Sequence, residues 1–268
     1  MTDNAHQPDM PSPVPDASVD GLSIETDGFI VVIELNRPPA NFFTAEQVEG
    51  IAAGLSLAAA NGARAAVLGS RGKHFCAGAD LAGSSRQENL DSRLYEAAAL
   101  LFESPIPVVA AVQGAAVGGG LGLALAADFR VAAPETRFCA NFSRLAFHHG
   151  FGLTVSLPDA VGNQFARDML YTGRNVHGDE AFRVGLCDRL VPADQLRAEA
   201  HRLADGLAGA GPLALRAIRA TMQGTMGDRV RAATTRELAE QRALARTQDF
   251  KEGLRAGRDR RTPQFRGI

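Results

Sequence analysis

There is no tryptophan in this chain, and it has only two tyrosines and three cysteines among 268 residues. Cys76, Cys139 and Cys187 are odd in number and lack metal-ligand spacing, which argues against a disulfide framework and for reduced thiols in a cytoplasmic protein. No apolar run is long and clean enough for a membrane span, and the N-terminus lacks the basic start and apolar centre of a signal peptide. A large charge excess is missing too. With 28 basic against 30 acidic residues the formal net charge is -2, so no nucleic-acid partner is expected. The one basic cluster falls in the last twenty positions. No two histidines stand at helical ligand spacing around a carboxylate, so no metal is expected. The glycines do not follow the dinucleotide fingerprint, so no nicotinamide is expected either.

What is present reads as α/β. Residues 1–20 are rich in Pro, Asp and Ser and poor in large apolar side chains, a composition that predicts a disordered lead. "LSIETDGFIVVIEL" then predicts a hairpin turning at Asp27 and Gly28. Residues 44–60 predict a helix capped by Thr44, and "RAAVLGS" a short buried strand. Further on, a helix is expected over roughly 88–103, a strand in "PIPVVAAVQG", a helix in "LGLALAADF" and a strand in "FRVAAP". A helix, turn, helix and strand follow, and the final 75 or so residues are mostly helical. The organisation expected is a lead over 1–20, a core over 21–200 and a helical region over 201–268.

Two loops stand out. "GKHFCAGADL", Gly72 to Leu81, follows one buried strand, and the triple glycine Gly118, Gly119 and Gly120 follows another. Each puts bare main chain at the carboxyl end of a strand, where α/β folds present ligand sites. Small side chains let a ligand oxygen approach the N–H of Ala79 and of Gly119. Two such donors on one carbonyl oxygen make an oxyanion hole, and loss of one costs roughly 3 to 4 kcal/mol of transition-state stabilisation.

In this order, "NRPPAN", "FCAGADL", "VQGAAVGGGLGLALAADFRVA", "YTGRNVHGDEAFRVGLCDRLVP" and "RRTPQF" resemble the crotonase superfamily, the enoyl-CoA hydratase and isomerase family. The resemblance covers about residues 22–268. It implies a spiral of ββα units with a helical C-terminal region that forms a homotrimer or a dimer of trimers. It also implies a coenzyme A thioester, as substrate and not as a separate cofactor, with its carbonyl between the N–H groups of Ala79 and Gly119. Pro39, Ala40, Ala77, Asp80, Leu81 and Gly118 would line the path of the CoA, and the C-terminal aromatic and basic positions of the family read here as Gly257 and Arg260.

The resemblance also locates what is missing. The two glutamates of the hydratases match Gly122 and Phe142, and an aspartate used by several isomerases and by aryl-CoA dehalogenases matches Gly150. None of the three can transfer a proton. His148 and His149, directly before Gly150, are the candidate acid and base, since imidazole titrates nearest neutrality. An isomerase, hydrolase or decarboxylase is expected before a two-glutamate hydratase, with a catalytically silent acyl-CoA-binding member as the alternative. Cys76 and Tyr171 read as packing, Asp159 as a solvated acid and His74 as a residue near the ligand mouth. Asp128, Asp188 and Arg189 read as structural.

Overall fold

The computed structural model describes residues 19–79 and 92–268. The lead expected over 1–20 therefore lies outside the described residues except for its last two, and Asp80 and Leu81 lie outside them as well. Val19 packs on the core, and the Asp20 carbonyl accepts a hydrogen bond from Gln47 Nε2 at 2.9 Å.

The chain opens with β1 (Leu22–Asp27) and β2 (Ile30–Leu35), an antiparallel hairpin whose turn uses Gly28 at φ 56°. Helix α1 (Ala45–Ala60) starts in a capping box: Thr44 Oγ1 accepts from the Gln47 N–H, and Gln47 Oε1 accepts from the Thr44 N–H. β3 (Ala65–Ser70), α2 (Ser92–Phe102) and β4 (Val108–Val112) follow. Then come β5 (Ala115–Val117), α3 (Gly119–Leu125), β6 (Phe129–Ala132) and β7 (Arg137–Cys139). After a 3-10 turn at Asn141–Leu145 the chain forms α4 (Leu153–Val161), α5 (Asn163–Thr172), β8 (Asn175–His177), α6 (Gly178–Arg183) and β9 (Arg189–Leu190). Four helices close it: α7 (Leu196–Ala208), α8 (Pro212–Gln223), α9 (Met226–Leu244) and α10 (Gln248–Arg258).

Among the described residues, one sheet has the order β1-β2-β3-β4-β6-β9, and apart from the β1–β2 hairpin its strands run parallel. A second, small sheet has the order β5-β7-β8. The central strands β3 and β4 are buried along their whole length, and β4 is wholly apolar because both of its faces are covered. Val108, Ala110 and Val112 face the larger core with α1 and α2, while Val109 and Ala111 face α7 through Leu196, Ala200, Ala204 and Ala208. The boundary expected at residue 200 falls inside α7, which starts at Leu196 and belongs to the packing of the main sheet. Asp128 ties this arrangement together, accepting from the Val108 N–H, Arg219 Nε and Gln223 Nε2. Asp188 likewise accepts from the Arg130 N–H and guanidinium.

Candidate active site

The two loops meet. Cys76 runs beside β5, with its N–H bonded to the Ala115 carbonyl at 3.0 Å and its carbonyl receiving the Val117 N–H at 2.9 Å. Glycine is required where they touch. A Cβ on Gly120 would lie 2.1 Å from the Cys76 carbonyl oxygen. Gly118 turns the chain at φ 57° and ψ −121°, so α3 starts at Gly119 and not, as the residue pattern suggested, at Leu121. A Cβ on Gly78 would meet Gly119 N at 3.0 Å, so the two loops are in van der Waals contact at the pair of donors. Among the described residues neither the Ala79 nor the Gly119 N–H has an acceptor. Ala79 is held in place from the other side, since the Phe43 N–H bonds to the Gly78 carbonyl at 3.0 Å.

These donors border a cavity of about 430 Å³. Phe42, Phe43, Phe142, Phe147 and Phe151 wall much of it, and Ala77, Gly118 and Gly150 also line it. Its ionisable lining, among the described residues, consists of Tyr95, Arg137 and Arg258. Arg137 Nε is buried with no partner there, which leaves a donor for a ligand anion. No carboxylate or imidazole lines the cavity among those residues.

The three positions that the resemblance pairs with family acids are placed differently. Gly122 faces Phe151: a Cβ there would lie 2.7 Å from the Phe151 Cβ and 2.8 Å from its ring. Phe142 presents its own ring to the cavity. Gly150 abuts Tyr95 and Gln241, each with a polar atom 2.6 Å from where its Cβ would be.

His148 and His149 lie behind this wall and not in it. Their rings stack at 4.2 Å, and His149 meets the edge of Phe142 at 6.3 Å. His148 Nδ1 is 2.7 Å from the His149 carbonyl, and His149 Nε2 is 2.9 Å from Thr154 Oγ1. The Thr154 hydroxyl in turn donates to Glu237 Oε1 at 2.5 Å, so its oxygen accepts from His149 Nε2–H and the basic nitrogen of His149 is Nδ1. Burial, seconded by the neighbouring His148, pushes the His149 imidazole down to about 4. Glu237 also accepts the N–H groups of Gly152 and Thr154 at the start of α4, and burial raises its carboxyl above the usual range. This carboxylate caps a helix.

The remaining expected residues are placed as follows. The Ala40 carbonyl accepts the Ala77 N–H at 3.0 Å, which joins "RPPAN" to the first loop, and Pro39 lies on the exposed side of that turn. Arg260 is exposed in the tail beyond α10 and does not reach the cavity; Arg258 and Gly257 do. His74 does not line the cavity, and its Nδ1 is buried without a partner among the described residues. Cys76 is buried, its thiol pushed up to about 12 by desolvation, as packing requires. Tyr171, expected in the core, is 74% exposed on α5. Asp159 pairs with Arg229 at 2.8 Å on the surface.

Five residues of the site went unrecognised in the sequence. Asn41, at φ 50° and fully buried, accepts the Arg37 N–H and donates to the carbonyls of Arg71 and His74, pinning the turn to the start of the first loop. The other four are Tyr95, Arg137, Gln241 and Arg258. Asn41 had a signal in "RPPAN", since asparagine tolerates positive φ. Gln241 had none.

The sequence profile described as Enoyl-CoA hydratase/isomerase matches residues 25–267. A crotonyl-CoA hydratase of Syntrophomonas wolfei is 35% identical over 204 residues, covering 74% of this chain and 78% of that protein. An enoyl-CoA isomerase/hydratase of Zymoseptoria tritici is 34% identical over 266 residues, covering 90% of this chain and 84% of the relative. The crystal structure of an enoyl-CoA hydratase from Mycobacterium avium subsp. paratuberculosis superposes with a TM-score of 0.82 at 28% identity, over 92% of this chain and 99% of that one. The α/β core and helical C-terminal region are thus those of the crotonase fold, and this chain belongs to the enoyl-CoA hydratase/isomerase family.

Proposed function

We propose that this protein binds an acyl-CoA thioester and stabilises an enolate or a tetrahedral oxyanion with the N–H groups of Ala79 and Gly119. The observation that carries this reading is the meeting of two unpartnered main-chain donors at the edge of an apolar cavity. Charge that develops on the thioester oxygen is met there by dipoles already in place, in surroundings of low dielectric. Arg137 and Arg258 supply positive charge to the anionic CoA. Coenzyme A enters as part of the substrate, with no separate cofactor, and the assembly is a homotrimer or a dimer of trimers in the cytoplasm.

The choice of reaction is argued from the residues at and behind the cavity wall. With Gly122, Phe142 and Gly150 at the three acid positions, isomerase, hydrolase or decarboxylase chemistry fits better than two-glutamate hydration. Decarboxylation or carbon–carbon cleavage fits well, because the departing group leaves its electron pair on the α-carbon and no base has to create the enolate. His149, neutral and with Nδ1 as its basic atom, is the candidate acceptor if a proton is removed, and it would act from behind the Phe142 ring, since it does not itself line the cavity.

A second reading is favoured by one observation, the Phe151 ring packed over Gly122. In it the protein is a catalytically silent acyl-CoA binder. One experiment separates the two: a panel of acyl- and enoyl-CoAs in deuterated water, followed for label at the α-carbon and for product. Exchange or turnover supports the enzyme, and loss of exchange in His149→Ala or His148→Ala assigns the proton acceptor. Binding without either supports the silent reading, and absence of binding refutes both.

A further inference from the structure

Gln241 on α9 and Tyr95 on α2 bring hydrogen-bonding groups into a cavity otherwise walled largely by phenylalanine. They are 4% and 6% exposed, and both line the cavity. The Tyr95 hydroxyl donates to Gln241 Oε1, and Gln241 Nε2 donates to the His148 carbonyl at 2.9 Å. Those two bonds use one hydrogen each. A lone pair on the Tyr95 oxygen and the second hydrogen of Gln241 Nε2 are left over, one acceptor and one donor.

Both atoms lie beside Gly150, each 2.6 Å from where its Cβ would be, and so share one stretch of the cavity wall. An alkyl chain lodged there would leave a buried donor and a buried acceptor unsatisfied, which is costly. A carboxylate would have to shed its hydration to reach two groups so deeply buried, and neither of them is a cation. A hydroxyl satisfies both partners and carries no charge.

We propose that Tyr95 and Gln241 select acyl groups that carry a hydroxyl, which donates to the Tyr95 oxygen and accepts from the Gln241 amide. This assignment rests on the thioester reading above, because it takes the acyl chain to extend from the Ala79 and Gly119 donors into this cavity. Tyr95 and Gln241 are then specificity-determining residues, in direct contact with the substrate.

The test is calorimetric titration of the full chain with hexanoyl-CoA, with the same ester hydroxylated on each carbon in turn from the third to the last, and with adipoyl-CoA. At least one hydroxylated isomer is expected to bind about tenfold more tightly than hexanoyl-CoA, as one good neutral hydrogen bond provides. Adipoyl-CoA is expected to bind more weakly than the parent. In Tyr95→Phe the ratio of the affinities for the hydroxylated and the parent ester falls to about one, a ratio that general damage to the fold, acting on both esters alike, does not change. If hexanoyl-CoA binds and no hydroxylated isomer is preferred, the assignment is overturned and the thioester reading stands. A preference that survives in Tyr95→Phe also overturns it. If no CoA ester binds, the thioester reading fails and takes this one with it. The wild-type comparison decides the matter even if Tyr95→Phe does not fold.

Discussion

Phe151 stands where any side chain on Gly122 would have to go, with its Cβ 2.7 Å from the position of a Gly122 Cβ. Phe151 sits at φ 62° and is followed by Gly152 at φ 74°, so an unusual left-handed pair of residues delivers the ring to this spot. The contact predicts strong coupling between the two positions. Gly122→Ala is expected to cost about 1 to 3 kcal/mol by overpacking. In a Phe151→Gly background, which removes the obstructing Cβ and suits the positive φ, most of that cost vanishes. Urea unfolding of the four proteins measures it, and additive costs would refute the steric account.

Removing a main-chain donor requires proline. Gly119 opens α3, where proline is tolerated by the helix itself, but a Cβ there would meet the Phe43 ring at 2.7 Å. Gly119→Pro combined with Phe43→Ala is therefore the informative variant, compared with Phe43→Ala alone. The expected loss is about a hundredfold or more in the rate of turnover or α-proton exchange, with the circular dichroism spectrum retained. Equal rates in the two variants would remove Gly119 from the oxyanion hole.

Asn41 is fully buried and makes three side-chain hydrogen bonds to the main chain of Arg37, Arg71 and His74. Asn41→Ala leaves buried groups unpaired and is expected to destabilise the fold by roughly 2 to 4 kcal/mol. Because this turn carries Ala40, which holds Ala77, the affinity for CoA esters is expected to fall as well. Thermal unfolding and ester titration check the two effects separately.

Acid should find His149. In the unfolded chain an imidazole takes up its proton near pH 6.5, while in the folded protein burial and the adjacent His148 hold His149 neutral down to about 4. Between those values the unfolded state binds more protons, so stability falls as pH drops from about 6.5 to 4 and levels off below. Glu237, in contact through Thr154, works in the opposite sense, because its raised carboxyl takes up a proton on folding. The variant His149→Gln is expected to show a shallower loss of stability over that window in denaturant titrations at stepped pH. An unchanged slope would show that His149 is not the group responsible.

Much of the fold was legible because local chemistry and global packing agree there. The hairpin at Asp27 and Gly28, the Thr44 cap and the apolar parallel strands all satisfy short-range rules. The second sheet was not legible. Its strands, β5, β7 and β8, span three residues each, too few to display alternation, and their pairing depends on distant segments. Likewise the start of α3 at Gly119 contradicts helix propensity, because the approach of Cys76 to Gly120 selects glycine whatever its entropic cost. The two main-chain donors were readable from loop composition. Tyr95 and Gln241 are 146 residues apart, and only the folded chain brings them together.

The lacing of the Cys76 segment to β5 makes the Ala79 and Gly119 donors properties of the backbone ladder. Any substitution but proline keeps the N–H, although a side chain on Gly119 also needs Phe43 to give way, so point mutation erodes such a pair more slowly than it erodes a catalytic carboxylate. On the function proposed above, affinity for the thioester and choice of reaction can therefore be inherited independently. A lineage can discard one chemistry, pass through a stage that merely holds acyl-CoA, and acquire another from the surrounding wall without rebuilding the hole.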